Sequence, residues 1–313
     1  MRKTSVIISL ILLVMSGSLR NVSAQVECDR ECLAWFLNTY LQALRNNDAS
    51  SLPVTKNVRY TENGVRLNLT DGLWQTVTEL PTYRINIIDE DAGSIAMLGI
   101  IFESGVRKFF SVRLKVEKGE QVSEIENLVV RNITPSAFNR SDREDPVPIF
   151  AETIPAAERL SRAELVRIGD SYFTGLDTDN HGDNVPFDPD CQRRENGTET
   201  ANSSDPEAQG MARMGCKAQF DTGFSVIVTD IRERRFVAAD PVTGLSFAFG
   251  YFDHDGSVPE YKNLVTGEMV AVSPTFQQPF SFYIAEVFKV VDGRIRQIEA
   301  VLTTVPYGMP SGW

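Results

Sequence analysis

Apolar residues recur at helical spacing in two segments of the chain, and the two segments match each other. Every matched pair is separated by 132 positions. The pairs are Leu33, Phe36, Leu37, Tyr40, Leu41 and Leu44 with Leu165, Ile168, Gly169, Tyr172, Phe173 and Leu176. The 3.6-residue period predicts a helix with one buried face over about residues 30–46. It predicts a second such helix at the start of the second half of the chain. Ser161 and Glu164 form a capping box at the start of the second helix.

Alternating apolar segments bounded by turn glycines follow each helix and predict strands. In the first half they cover residues 83–89, 94–102, 108–116 and 122–131, and in the second half residues 224–231, 245–252, 282–290 and 294–303. The repeat continues through them, since Lys115, Val116 and Gly119 match Lys289, Val290 and Gly293, 174 positions later. The pattern therefore predicts an α+β fold used twice, with insertions in the second half near residues 198–222 and 257–278.

Four segments make up the predicted organisation of the chain. Residues 1–24 combine a basic start, an apolar run and Val22-Ser23-Ala24, which is typical of a secretory signal peptide. The first domain then covers residues 25–133 and the second covers residues 157–313. The proline-containing and charged segment 134–156 is predicted to be an exposed linker.

The net charge of the mature chain limits the kinds of molecule that it is expected to bind. Without residues 1–24 the chain has 28 basic and 42 acidic residues, a net charge of −14. A nucleic-acid partner is not expected, because binding to phosphates requires a positive face. No later segment is long and apolar enough to span a bilayer, so no membrane partner is expected after signal cleavage.

The four cysteines are predicted to form two disulfides in a secreted protein. Their spacing favours Cys191 with Cys216 and Cys28 with Cys32 among the three connectivities. The second pair requires Cys28 to precede the helix proper, because a fully helical i, i+4 pair has unsuitable geometry. The location is thus secreted, or periplasmic in a Gram-negative host. Sequons at the positions Asn68, Asn132, Asn139, Asn196 and Asn202 are glycan acceptors if the host is eukaryotic.

A family resemblance rests on several short motifs across the mature chain. They are Tyr60-Thr61-Glu62-Asn63-Gly64, Asp71-Gly72-Leu73-Trp74, Arg193-Arg194-Glu195-Asn196-Gly197, the segment 292–300 and the segment 305–313. The chain resembles the nuclear transport factor two-like (SnoaL-like) superfamily, and within it a group of secreted fungal and bacterial proteins with two tandem copies of the fold. The resemblance implies cone-shaped domains, each with helices packed on a curved, mostly antiparallel sheet around a pocket. Two cones in one chain imply an internal pseudo-dimer in a monomeric protein.

The repeated triplet Glu-Asn-Gly supplies two candidate carboxylates, Glu62 and Glu195. A carboxylate at a pocket mouth acts as a general base if burial raises its pKa. The competing interpretation is a turn whose polar side chains brace the backbone. Tyr60 is a further first-half candidate beside Glu62.

His254 is one of only two histidines and lies in Asp253-His254-Asp255-Gly256, at the end of a predicted strand. A histidine beside carboxylates is a proton carrier near neutral pH. The alternative is a solvated strand-end turn. Its counterpart in the first half is Glu103-Ser104-Gly105, so histidine chemistry would belong to the second half alone.

Aromatic residues at strand spacing are candidates for lining a pocket. Trp74 and Tyr83 belong to the first half, and Phe247, Phe249 and Tyr251 share one face of a second-half strand. Plain core packing is the alternative. That face points either into the cone or onto the helix.

Metal and cofactor motifs are weak or missing in the sequence. Residues 177–183 resemble the start of a calcium loop, but His181 stands at position 5 and Asp188 at position 12, so a polar connector is favoured. No serine-hydrolase elbow, P-loop or dinucleotide fingerprint occurs. We expect no metal and no organic cofactor.

Two functions fit these observations. The first is a secreted lyase, dehydratase or isomerase that acts on a small organic molecule by general acid–base chemistry, with His254 and Glu195 as acid and base. The second is a non-catalytic module that binds a small ligand or interacts with another molecule. Buried ionisable groups converging on a pocket favour the enzyme.

Overall fold

The computed structural model describes residues 28–80, 83–118, 120–131 and 146–313. The predicted signal peptide, the turn at Gly119, the sequons at Asn132 and Asn139 and most of the predicted linker lie outside the described residues.

A single long helix opens the first half. Helix α1, Arg30–Asn46, begins after Asp29, whose side chain accepts a hydrogen bond from the Cys32 amide. It ends at Asn47, which adopts the left-handed conformation and closes the last turn. Its apolar face is buried, as the 3.6-residue spacing of its leucines and aromatic residues predicts.

The first sheet has seven strands. They are β1 Val54–Glu62, β2 Val65–Leu67, β3 Val77–Glu79, β4 Arg84–Asp89, β5 Ser94–Glu103, β6 Val106–Glu117 and β7 Gln121–Val129. The hydrogen-bonded order is β2-β1-β7-β6-β5-β3, with β4 also paired to β5. All pairs are antiparallel except β1 with β7.

The second half repeats this arrangement. Helix α2, Arg162–Thr174, starts with the predicted capping box and continues into a π-helical turn, Gly175–Asp179. The strands are β8 Phe187–Glu195, β9 Thr198–Ala201, β10 Asp230–Asp240, β11 Leu245–His254, β12 Glu260–Lys262, β13 Met269–Ala271, β14 Phe280–Val291 and β15 Arg294–Val305. Six of them form a sheet in the order β10-β11-β14-β15-β8-β9, in which only β15 and β8 are parallel. The α+β class with two curved, mixed sheets is confirmed.

The predicted insertions account for the elements that only the second half has. A short helix α3, Cys216–Asp221, lies within the first insertion, and the β12–β13 hairpin lies within the second. The predicted strand at 224–231 is wrong over its first part, because Phe224–Ile227 forms a 3-10 turn after Gly223, whose φ is +76°. The strand β10 begins only at Asp230.

Both predicted disulfides are present. Cys28 pairs with Cys32, and Cys28 precedes α1 as the geometry requires. Cys191 pairs with Cys216 and ties β8 to the start of α3.

Three hydrophobic cores of described residues lie between the helices and sheets of the fold. One lies between α1 and the first sheet, and a second lies between α2 and the second sheet. We call the sheet faces toward these helices the inner faces. The third core lies between the opposite, outer faces of the two sheets and joins residues such as Ile87 and Leu98 to Phe247 and Tyr283. The two sheets therefore pack against each other, with the helices outside.

Equivalent ion pairs cross between the halves in both directions. Arg162 at the start of α2 binds Asp89 of the first half at 2.8 Å, and Arg30 at the start of α1 binds Asp240 of the second half at 2.8 Å. The two arginines match in the repeat, as do the two aspartates. Such reciprocal contacts are the signature of a two-fold interface, here formed within one chain.

Candidate functional site

A row of residues crosses the inner face of the second sheet and carries two carboxyl groups. Ala300 on β15 pairs with Glu286 on β14 at one side and with Glu195 on β8 at the other. Two strand spacings place the Cα atoms of the two glutamates about 10 Å apart. Because the residue between them is alanine, the carboxyl groups are separated by a methyl group rather than by a large side chain.

Glu286 is fully buried, and neither of its carboxyl oxygens has a hydrogen-bond partner among the described residues. Burial raises its pKa well above the ordinary value of a carboxyl group. The nearby Glu195 raises this pKa further, whereas Arg193 lowers it. Burial therefore favours the neutral carboxylic acid form of this side chain, which has one O–H donor to offer.

Arg193 is the buried cation of the site. Its guanidinium donates to Thr200 Oγ1 at 3.0 Å, to Tyr172 Oη at 3.2 Å and to Gln219 Oε1 at 2.7 Å. All three partners are neutral. The guanidinium Nε also lies 3.6 Å from a carboxylate oxygen of Glu195, which balances its charge.

The insertion that contains α3 holds this arginine in place. Cys191 lies two residues before Arg193 on β8, and its disulfide partner Cys216 lies three residues before Gln219 on α3. Gln219 in turn donates to the backbone oxygens of Thr200 and Met211 at 2.5 and 2.6 Å. The disulfide therefore positions the amide that fixes the guanidinium.

Tyr172 closes the site from the helix side. It is buried on α2 among the rings of Phe187, Phe220 and Phe288. Burial raises the pKa of its phenol, so it remains neutral. Its oxygen accepts the hydrogen bond from Arg193, which leaves its own proton free to bind an acceptor.

The two Glu-Asn-Gly triplets adopt the same turn but place their glutamates differently. Asn63 and Asn196 both have positive φ, and their side chains bond to the backbone of Val129 and Leu302 respectively. The bracing interpretation therefore holds for the asparagines. The Glu195 side chain is 24% exposed, and its ion pair is with Arg193.

Glu62 is engaged by its own half. It accepts a hydrogen bond from the Leu73 amide at 2.7 Å and binds Arg131 at 2.6 Å. Tyr60 donates to it at 3.3 Å. These contacts anchor the turn before Trp74 against the sheet.

Trp74 and Tyr60 are fully buried in the first-half core. Trp74 packs edge-on against Tyr40 of α1, with 5.7 Å between ring centroids. Large aromatic rings thus occupy the first-half space that corresponds to the Arg193 network in the second half.

The other predicted pocket residues lie between the two sheets. Phe247, Phe249 and Tyr251 belong to the third core, so their face points neither into the cone nor onto the helix. The reason is that this strand face is covered by the sheet of the other half, which the sequence pattern does not show. Tyr83 is also in this core and donates its hydroxyl to Glu299.

His254 lies far from the row of Glu286 and Glu195. It is buried at the end of β11, six residues beyond Ala248, the neighbour of Glu286, which corresponds to about 20 Å along the strand. The structure does not bring His254 and Glu195 together as an acid–base pair. Its Nδ1 lies 2.7 Å from the carbonyl oxygen of Ile227, and its ring stacks on Phe280.

The predicted calcium-like segment makes structural contacts. Asp177 is part of the π-helical turn and binds Arg234, and Asp183 binds Lys217 at 2.8 Å. Within the part of the chain that the structure describes, no cluster of three or more His, Cys, Asp or Glu side chains suits a metal ion. Among the same residues, no helix is both apolar and long enough to cross a bilayer.

Sequence reasoning did not select Glu286, Arg193 or Tyr172 as site residues. A signal for Glu286 exists, because Phe282, Ile284, Phe288 and Val290 alternate around it on the same face of β14. Glu286 is the one carboxyl group on a stretch of this strand face that is otherwise apolar. Such a residue either destabilises the core or has a function.

The comparisons with known proteins give a family but no activity. A family model described as a domain of unknown function (DUF8021) matches residues 27–129 and 158–302. These two regions cover most of the chain, which therefore belongs to the DUF8021 family. No curated protein matches it.

Two solved structures share limited similarity with the chain. A de novo designed protein with a curved β-sheet is 14% identical, with a TM-score of 0.28, and the match covers 34% of this chain and 91% of that one. An NTF2-like protein of unknown function from Cytophaga hutchinsonii is 9% identical, with a TM-score of 0.25, and the match covers 31% and 88% of the two chains.

Proposed function

We propose that this member of the DUF8021 family is an enzyme that moves protons on a small organic molecule, as a lyase, dehydratase or isomerase without an organic cofactor. Its site is the inner face of the second half. The observation that carries the proposal is Glu286, a buried neutral acid without a partner among the described residues, next to a buried cation and a second carboxylate. Perturbed carboxyl groups of this kind concentrate at functional sites.

The two glutamates have different environments and therefore different roles. Glu195 is partly exposed and ion-paired, so it acts as the base that takes a proton from a carbon next to a carbonyl group. Glu286 is the acid that gives its proton to the carbonyl oxygen, which yields an enol. If Glu195 returns its proton to another carbon conjugated with the enol and the enol O–H proton goes back to Glu286, the product is an isomer. If Glu286 instead protonates a leaving hydroxyl on the next carbon while Glu195 takes the carbon-bound proton, water is released.

Arg193 and Tyr172 stabilise the negative charge that develops on the substrate oxygen. Their mutual hydrogen bond and the contacts to Thr200 and Gln219 fix both groups before substrate arrives. Donors that need no reorganisation contribute more to the rate than donors that must first be ordered. The aromatic rings around Tyr172 favour a substrate that is partly apolar.

Hydrogen–deuterium exchange tests this proposal without knowledge of the product. Small ketones, aldehydes and hydroxy acids are incubated with the protein in D₂O, and loss of α-proton signals is followed by NMR. We expect exchange with the wild type and a loss of at least about 100-fold in Glu286→Gln and Glu195→Gln. The control is Glu103→Gln, a carboxylate bound by Arg131 and Thr76 in the first half.

The alternative function is binding without turnover at the same site. It predicts that compounds bind the wild type and lose affinity in Glu286→Gln, while no compound exchanges protons faster than in buffer. Equal exchange rates in the wild type and in both site variants would contradict the enzymatic proposal. The two disulfides support a protein that works outside the cytosol, in a secretory or periplasmic compartment.

A further inference from the structure

A second site lies between the halves and is separate from the inner face of either sheet. The cleft has a volume of about 380 Å³ and is bordered by strands of both sheets and by α2. We infer that it binds a small anion that carries carboxylate or phosphate groups. We call it the interdomain cleft.

Cationic side chains predominate around the cleft. Five of them border it, namely Arg59, Arg113, Lys115, Arg162 and Arg235, and Glu124 is the single acidic side chain among the described residues that line it. The whole chain has a net charge of −11, so this concentration of cations runs against the composition. Three of these cations are paired with carboxylates, namely Arg113 with Glu124, Arg162 with Asp89 and Arg235 with Glu126. The five cations still exceed the three carboxylates, and this excess of positive charge attracts an anionic ligand.

The guanidinium groups of Arg162 and Arg235 are held in place by carboxylates. Arg162 is fixed by Asp89 at 2.8 Å, and Arg235 is fixed by Glu126, with one contact at 2.9 Å. The Nε atoms of Arg59 and Arg235 are buried and have no acceptor among the described residues. A guanidinium cannot release its proton, so these N–H groups require an oxygen acceptor, and a buried donor left unpaired costs about 1–3 kcal/mol.

Trp313 supplies an apolar wall and connects the two halves. Its ring lies 4.6 Å from the guanidinium of Arg59 and 5.7 Å from those of Arg113 and Arg235. Its indole nitrogen donates to Thr61 Oγ1 at 3.1 Å, which fixes the ring against β1. The site thus combines a flat apolar surface with arginines from both halves, and it exists only where the halves are docked.

Calorimetric titration with citrate and with inorganic phosphate tests the inference and distinguishes the two oxyanions. Triethyl citrate is the neutral analogue. We expect at least one anion to bind the wild type, more weakly as sodium chloride is added, and the ester not to bind. Arg59→Gln and Arg113→Gln should each weaken binding by about tenfold or more. Arg296→Gln, which changes a partly exposed arginine outside the cleft that is paired with Asp188, should bind like the wild type.

Trp313→Phe locates the binding event. Because Trp313 forms a wall of the proposed site, this variant should bind the anion more weakly in the calorimeter, and the anion-induced change in tryptophan fluorescence should disappear. Absence of binding by both anions to the wild type would overturn the inference. Unchanged affinity in both arginine variants, with circular dichroism showing intact folds, would equally overturn it, because the anion would then bind elsewhere.

Discussion

Glu286 occupies the position in the second half that Val112 occupies in the first. The two residues are 174 positions apart, and each pairs with equivalent neighbours, Val112 with Met97 and Asn127, and Glu286 with Ala248 and Ala300. The scaffold is therefore the same, and one half buries a methyl-bearing side chain where the other buries an acid. The first half therefore serves as an internal control for the proposed chemistry, because it has the same strand position without the acid.

The single variants Glu286→Val and Val112→Glu should change the free energy of unfolding in opposite directions. Glu286→Val removes a buried carboxyl group without a described partner, and we expect the free energy of unfolding to rise by about 1–3 kcal/mol in acid, where only a neutral group is buried, and by more at pH 7. Val112→Glu should lower it by at least about 2 kcal/mol. Urea unfolding measures both changes.

The gain from Glu286→Val should depend on pH. The raised pKa keeps Glu286 protonated in the folded state, while the unfolded chain releases the proton above about pH 4.3. The pH-dependent part of the stability that Glu286 costs is thus absent in acid and grows as the pH rises toward neutrality. A gain that is the same at pH 4 and pH 7 would show that the carboxyl group is not held neutral.

His254 should make the protein less stable in mild acid. Burial lowers its pKa, so the folded protein keeps the ring neutral while the unfolded chain binds a proton below about pH 6.5. The free energy of unfolding should therefore fall as the pH drops below 6.5, by up to about 1.4 kcal/mol per pH unit from this residue.

The other histidine provides the control for this measurement. His254→Gln should flatten the slope between pH 6.5 and 5, whereas His181→Gln, at a side chain that is 43% exposed, should leave it unchanged. A wild-type slope retained in His254→Gln would refute the assignment.

The two disulfides should differ in their effect. Loss of Cys191–Cys216, whose cysteines are 25 residues apart, should cost about 3 kcal/mol, and loss of Cys28–Cys32, 4 residues apart, about 2 kcal/mol. Thermal unfolding of the two double serine variants compares them. Only the first variant should also impair proton exchange, because only that disulfide holds Gln219 over Arg193.

Glycan attachment should distinguish two of the sequons when the protein is made in a eukaryotic secretory host. Asn68 is exposed, whereas Asn196 is buried and donates its amide to the Leu302 carbonyl. Asn68→Gln should lower the mass of the secreted protein by one glycan. Mass spectrometry after Asn196→Gln should show no glycan lost, and a loss there would contradict the position of this side chain.

Sequence alone predicts the two long helices and much of the sheets, because local periodicity determines them, whereas the short helix α3 is not predicted. The helix expected over residues 30–46 is present as α1, and the capping box at Ser161 starts α2 as expected. Strand β8 is not predicted from the sequence, because Pro189 and two consecutive arginines interrupt the alternation of apolar and polar residues. The pairing of β8 with β15 is irregular around Pro189.

The site could be predicted only in part. Glu195 follows from the repeat, but its neighbours come from α3, β14 and α2, which the sequence does not place together. Phe247, Phe249 and Tyr251 show which residues share a strand face, yet the partner of that face is set by the docking of the two halves. Glu286 alternates correctly with its apolar neighbours, but only the tertiary structure shows that it is buried without a partner.

Infrared difference spectroscopy reports whether the Glu286 carboxyl group is neutral. The spectrum of Glu286→Gln is subtracted from that of the wild type at pH 7, with Glu103→Gln as the control. We expect a positive band in the carbonyl region of a neutral carboxylic acid, present only for Glu286 and shifted in D₂O. A band of an ionised carboxylate in its place would contradict the assignment of Glu286 as the proton donor.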